Sequence, residues 1–72
     1  MKPAGINGYL CLERAGDESL IGKLTHDYEE LGLKEGDVLF YNNPVVNVLE
    51  IDRRVYVFIK EIDIIAKLYD DE

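Results

Sequence analysis

The chain contains one cysteine, Cys11, and one histidine, His26, in 72 residues, and this lack of cross-linking groups is the strongest constraint on its fold. One thiol forms no internal disulfide, and this pair does not supply the four ligands of a structural zinc site. A single domain over residues 1–72 therefore depends on a hydrophobic core that is marginal at this length. We expect the missing stability to come from self-assembly or from docking on a larger protein body.

The charge balance excludes two classes of partner. The chain has 15 acidic and 8 basic residues, a formal net charge of −7, so it repels the phosphate backbone of nucleic acid and anionic membrane surfaces. The start, Met1–Gly5, lacks the apolar region of a secretory signal, and no apolar run reaches the length of a bilayer span. Because a lone thiol also fits a reducing compartment, we expect a cytoplasmic protein, or one within a particle assembled in the cytoplasm.

Short apolar segments separated by turn formers predict an all-β fold of about six strands, a small partly open β-barrel with at most one or two helical turns. Gly22 inside the second segment predicts a bulge or a close backbone approach. Asp52-Arg53 is expected to close a hairpin, and both faces of the following strand are apolar, which predicts a central position for it. The predicted strands are residues 8–14, 20–25, 38–41, 45–51, 54–60 and 64–68.

The sequence leaves the secondary structure of two segments open. Residues 26–33 fit a single helical turn, with Asp27 as its cap and Gly32 as its end, or a loop. Residues 62–68 fit a helix, or a turn followed by a strand over 64–68, and β-branching favours the strand. The expected core side chains are Val38, Phe40, Val57 and Ile59.

The residues that carry chemistry do not form a catalytic set. Cys11 lies between Leu10 and Leu12 in a predicted strand, which indicates a buried structural thiol. His26 has no second catalytic partner, and no glycine-rich phosphate loop is present. The acidic runs 27–30 and 70–72 lack the spacing of a calcium loop and indicate solvated faces. We therefore expect no enzyme, no cofactor and no metal; a small enzyme or ligand binder is the least favoured class.

Four stretches resemble the small co-chaperonins, the GroES family. Met1-Lys2-Pro3 resembles the start of that family, and Gly22-Lys23-Leu24 lies where it has a Gly-Glu-Val strand. Residues 33–40 resemble its Val-Lys-x-Gly-Asp-x-Val-x-Phe element. Residues 55–66 resemble its closing strand, acidic turn and Ile-Leu-Ala sequence. The resemblance covers most of the chain from Leu33 onward and scattered points before it.

The resemblance implies a β-barrel that assembles into a ring, in which the first and last strands of neighbouring subunits pair. Since both terminal segments are apolar, we expect them to be edges that need cover. Carried over by position, these segments supply the predicted subunit interface: Tyr9, Leu10, Cys11, Leu12 and Glu13 from the first strand, and Ile64, Ile65, Ala66 and Leu68 from the last.

The loops that bind a chaperonin in that family are short here. Glu13–Ser19 is polar and lacks the family's hydrophobic tripeptide, and the segment that matches its roof hairpin, Thr25–Gly32, is reduced. Leu20 and Ile21, at the exit of the loop, are the predicted partner-binding residues. The resemblance thus leaves two functions: a co-chaperonin-like barrel that acts through oligomeric assembly and binds a chaperonin, or a structural oligomer, such as a viral-shell decoration protein, that kept only the barrel.

Overall fold

The computed structural model describes residues 1–14, 20–42 and 47–69. Within these ranges the chain forms six antiparallel β-strands and two 3-10 turns, which confirms the all-β prediction. The strands are β1 (Tyr9–Arg14), β2 (Ile21–Leu24), β3 (Val38–Tyr41), β4 (Val48–Ile51), β5 (Arg54–Lys60) and β6 (Ile64–Leu68), and the turns are Glu29–Leu31 and Glu61–Asp63.

All six strands belong to one sheet with the order β4-β5-β1-β2-β3-β6. β5 lies between two neighbours, as its two apolar faces predicted. β1 is also internal, because Tyr9–Glu13 pairs with β5 and Leu12–Arg14 pairs with β2. The expectation that β1 forms a free edge is therefore wrong. The edges of the described sheet are β4 and β6, and only β6 was predicted as one.

The core lies on one face of this sheet. Leu10 pairs with Ile59, and Leu12 pairs with both Val57 and Leu24, so their side chains share that face. A flat sheet would leave such a face in solvent, whereas the core side chains here are at most 3% exposed. The sheet therefore curls round its own side chains as a partly open barrel. The buried cluster comprises Leu10, Leu12, Leu24, Leu39, Tyr41, Val57 and Ile59.

Gly22 lets two strands approach closely at the centre of this face. A Cβ atom at Gly22 would lie 2.8 Å from the Cβ atom of Leu12, closer than side-chain atoms pack. The registers of β2 with β1 and β3 are continuous here. Of the two explanations that the sequence offered, the close approach is therefore correct.

In β3 the core face is the opposite of the one predicted. Leu39 and Tyr41 are fully buried, while Val38 and Phe40 are half-buried. Leu39 pairs with Gly22, whose missing side chain leaves room on the core face. Four consecutive apolar residues carry no alternation, so periodicity did not determine which pair points inward. The predictions for Val57 and Ile59 are confirmed.

Both undecided segments form a 3-10 turn, and the second leads into a strand. Gly32 ends the first turn with a φ of 71°, but Asp27 does not cap it: its carboxylate accepts the Glu35 N–H at 2.8 Å. Asp52 and Arg53 close the β4–β5 hairpin with φ angles of 52° and 67°. Of the predicted strand 45–51, residues 45 and 46 lie outside the described residues.

Leu39→Ala should lower the free energy of unfolding by about 2–5 kcal/mol, because it leaves a cavity in the barrel core. Phe40→Ala is the matched control on the same strand and should cost distinctly less, since Phe40 is half-buried. Urea denaturation of both variants measures the difference. A larger loss for Phe40→Ala than for Leu39→Ala would contradict the assigned face of β3.

Candidate functional site

The residues predicted as the first half of a subunit interface lie mostly inside the chain. Leu10 and Leu12 are buried in the barrel core, and Cys11, which alternates with them and pairs with Phe58, is also buried. Tyr9 and Glu13 are half-buried. Without a rearrangement, β1 therefore offers little surface to a partner.

The second half of the predicted interface lies at a true edge. Ile65 and Leu68 of β6 are exposed, while Ile64 and Ala66 are half-buried. Ile64 packs against the core cluster and Ile65 does not. The structure therefore separates residues that hold the barrel together from residues that are available to a partner.

Ile65 is exposed because of a β-bulge. Phe40 pairs with Ala66, but the next residue, Tyr41, pairs with Ile64, so Ile65 is the extra residue without a partner on β3. A bulge redirects the side chain that it carries and interrupts the regular ladder of an edge strand. Ile65 is consequently 55% exposed at the middle of this edge.

The opposite edge, β4, was missed by sequence reasoning. Val48 and Leu49 are both exposed, and the ladder of β4 with β5 runs in continuous register from Val48 to Ile51. The β-branched sequence predicted a strand here but not its position, because an edge strand and a covered strand share this composition. The two described edges together present Val48, Leu49, Ile65 and Leu68 to solvent.

One ion pair fixes the end of β6. Lys67 Nζ lies 3.2 Å from the Asp37 carboxylate and 5.1 Å from the centre of the Tyr69 ring. The Lys34 N–H also donates to Asp37 at 2.9 Å. These hydrogen bonds and the Lys67 charge hold the pKa of Asp37 below its usual value, and the pKa of Lys67 is raised in return. Because Lys67 is paired with Asp37, its charge does little to prevent another strand from adding to the β6 edge.

Where β2 ends beside β1, Tyr28 and Thr25 make the hydrogen bonds to β1 that a longer strand would make. The Tyr28 hydroxyl accepts hydrogen bonds from the Cys11 N–H at 3.1 Å and the Gly5 N–H at 3.3 Å. The Thr25 N–H donates to the Cys11 carbonyl at 3.2 Å, and the Thr25 hydroxyl lies 3.0 Å from the Pro3 carbonyl. This set of contacts, called the hydroxyl latch below, satisfies the backbone of β1 and holds the N-terminal segment in place.

His26 is a member of the hydroxyl latch. Its Nδ1 lies 2.8 Å from the Thr25 hydroxyl, which also has two carbonyl oxygens within hydrogen-bond distance. Thr25 carries one hydroxyl proton. When His26 Nδ1 donates to the hydroxyl oxygen, that proton is available for the Pro3 carbonyl. The interaction thus orients a structural hydrogen bond.

The buried titratable groups are poor nucleophiles. Burial raises the pKa of the Cys11 thiol and the pKa of the Tyr41 phenol, so both stay protonated near neutral pH. The Tyr41 hydroxyl has no hydrogen-bond partner among the described residues. Among the described residues, no group of three acidic, histidine or cysteine side chains lies close enough together to hold a metal ion.

The predicted partner-binding residues lie at the start of β2. The Leu20 side chain is partly exposed to solvent, and the Leu20 carbonyl accepts a hydrogen bond from the Tyr41 N–H at 2.9 Å. Ile21 is half-buried and pairs with Phe40. Of the loop that precedes them, residues 15–19 lie outside the described residues, as does the acidic run 70–72.

Comparisons with models of known protein families, with curated proteins and with solved structures found no match. In the described part of the chain, no helix has the length and apolar character needed to cross a membrane.

Tyr28→Phe should lower the free energy of unfolding by about 1–3 kcal/mol, because it leaves two backbone N–H groups without their acceptor. Tyr9→Phe is the matched control, since no hydrogen bond of the Tyr9 hydroxyl occurs within the described ranges. Thermal unfolding measures stability, and amide hydrogen exchange at Cys11 reports on the latch itself. Unchanged protection of the Cys11 amide in Tyr28→Phe would contradict the assigned role.

Proposed function

We propose that this chain is a non-enzymatic, co-chaperonin-like β-barrel that acts by assembling with copies of itself or with a larger protein body. The observation that carries the proposal is that β4 and β6 each have one side without a neighbouring strand among the described residues, and each has two exposed apolar side chains. Edge strands present free N–H and C=O groups to a further chain, and stable folding of so small a domain favours such cover.

The two edges are suited to a partner in different ways. β4 is regular over Val48–Ile51, and its one charged residue is Glu50, so it is open to addition of another strand. β6 is bulged at Ile65, so it offers an apolar side chain in place of a continuous ladder. Because the two edges differ, a contact between the β4 edge of one copy and the β6 edge of the next is head-to-tail, and such contacts close into rings when the geometry allows. The resemblance of residues 33–40 and 55–66 to the co-chaperonins also implies a ring with β6 in each contact, but it places the first strand, and not β4, opposite β6.

The alternative is a structural oligomer, such as a decoration protein on a viral shell, that uses the barrel without binding a chaperonin. The charged residues Asp17 and Glu18, which lie in the sequence between β1 and β2, favour it, because such side chains lose hydration when they enter an apolar groove. Fold alone does not separate the two functions, and binding to a chaperonin does.

Ile65→Lys should weaken self-association at least about tenfold, because it places a charge in the apolar centre of the β6 edge. Ile62→Lys is the matched control: it adds the same charge at a side chain that is 89% exposed and outside the strand. Ile64 is unsuitable, since it packs on the core. Sedimentation velocity at about 0.15 M salt, where repulsion between acidic subunits is screened, measures the oligomer. Equal association by both variants would place the contact elsewhere.

The chain should bind a nucleotide-bound group I chaperonin weakly or not at all, and any binding should depend on Leu20 and Ile21. Calorimetric titration of the parent and of a Leu20→Ser, Ile21→Ser double variant tests this. Tight binding that the double variant abolishes would establish the co-chaperonin function. Binding that survives in the double variant would contradict the assignment of Leu20 and Ile21. A stable oligomer without chaperonin binding would establish the structural alternative.

A further inference from the structure

The N-terminal segment, residues 1–6, contacts the barrel through a few polar groups and has no regular secondary structure. Lys2 Nζ lies 2.7 Å from Glu35 Oε2, and the hydroxyl latch holds Pro3 and Gly5. All of these partners follow β1 in the chain. Nothing in the contacts themselves requires the segment and the barrel to belong to the same copy.

A tight turn with two positive φ angles joins this segment to β1. Asn7 and Gly8 have φ angles of 59° and 86°, and the Tyr9 N–H donates to the Ile6 carbonyl at 3.1 Å. Asn-Gly is the favoured pair for such a two-residue turn, yet a positive φ at Asn7 still costs free energy that an extended backbone does not. Opening the turn removes this cost and continues β1 as a straight arm.

Charge and exposure agree with an arm that moves between copies. Residues 1–8 contain Lys2 and no acidic residue, whereas the whole chain has a net charge of −7. The barrel of any copy therefore attracts the segment. In the closed arrangement Met1 and Ile6 are 96% and 73% exposed, so opening sacrifices little apolar burial at these two positions.

We propose that neighbouring copies exchange their N-terminal segments, so that residues 1–6 of one copy lie on Thr25, Tyr28 and Glu35 of another. This inference rests on the self-assembly proposed above and names the segment that links the copies. Exchange preserves the contacts of residues 1–6 with Thr25, Tyr28 and Glu35 and gives up only the Asn7-Gly8 turn with its hydrogen bond from Tyr9 to Ile6, which makes it a low-cost route to an oligomer. The partner is a second copy of this chain.

A charge exchange between Lys2 and Glu35 tests the proposal directly. Lys2→Glu and Glu35→Lys each place like charges together within any complex made of one variant. In a complex that contains both variants, each exchanged segment instead meets a barrel of opposite charge at these two positions. One variant is labelled with ¹⁵N, the two are unfolded and refolded together at low salt, and native mass spectrometry counts mixed and unmixed complexes. The control is the double variant Lys2→Glu, Glu35→Lys, which keeps an attractive pair within its own complexes.

Exchange predicts that mixed complexes of the two single variants are enriched about fivefold over random mixing at low salt, because two repulsive pairs become attractive. The enrichment should disappear at about 1 M salt, where charges are screened. Mixed complexes of the double variant with labelled parent should be depleted at low salt, because exchange then brings like charges together. Oligomers that form but mix at random would overturn the exchange and leave the proposed assembly intact. Monomers in every sample at high protein concentration would overturn both.

A change at the hinge gives an independent measurement. Asn7→Val should raise the association constant at least about tenfold, because a β-branched residue strongly disfavours a positive φ and each exchanged pair opens two hinges. Asn7→Gly should lower it, because glycine adopts this conformation readily. The opposite order of the two variants in sedimentation equilibrium would overturn the exchange.

Discussion

The arrangement of this molecule depends on how β1 satisfies its backbone where β2 stops. β2 pairs with β1 only from Leu12 onward, which leaves the N–H and C=O groups of Cys11 without a strand on that side. Tyr28 and Thr25 supply the missing acceptor and donor. A buried backbone group without a partner would cost as much as a lost hydrogen bond. The same two residues hold the N-terminal segment, so the latch couples the centre of the sheet to its surface.

The internal position of β1 determines which strands form the edges of the barrel. With β1 enclosed by β5 and β2, the sheet ends at β4 and β6, and these strands carry the exposed apolar side chains. The proposed self-assembly draws on three features of this small domain: a core of modest size, the two edges of the described sheet, and an N-terminal segment that carries Lys2 and is held by a few polar contacts. The proposed assembly and the proposed exchange of segments address the same shortage of burial.

The fold was largely predictable because turn formers separate the strands and β-branched residues fill them. The face of β3 was not, since Val38–Tyr41 has no alternation and only its pairing with Gly22 decides which side chains enter the core. The internal position of β1 was also missed, because an apolar strand has the same pattern whether another subunit or its own chain covers it. The Asn7-Gly8 turn did have a recognisable signal, the Asn-Gly pair, which precedes an apolar strand and indicates a reversal.

The candidate site was only partly predictable, for a related reason. Ile65 and Leu68 were identified from the resemblance to the co-chaperonins, and both lie exposed on an edge. Val48 and Leu49 were missed, since the exposure of β4 results from the order of strands in space. The latch was missed because no local sequence pattern shows that a tyrosine hydroxyl accepts a backbone hydrogen bond in place of a neighbouring strand. Tyr28 and Cys11 are far apart in the chain, and only the fold brings them together.

The central position of β1 has a consequence for synthesis of the chain. Leu10 emerges from the ribosome well before its partner Ile59, because the two residues are far apart in the chain. Until β5 has been made, one side of an apolar strand has no partner, and pairings between distant segments form slowly. The nascent chain thus passes through a period in which β1 is exposed to aggregation, and neighbouring nascent chains on one messenger RNA would bring that strand close to its copies.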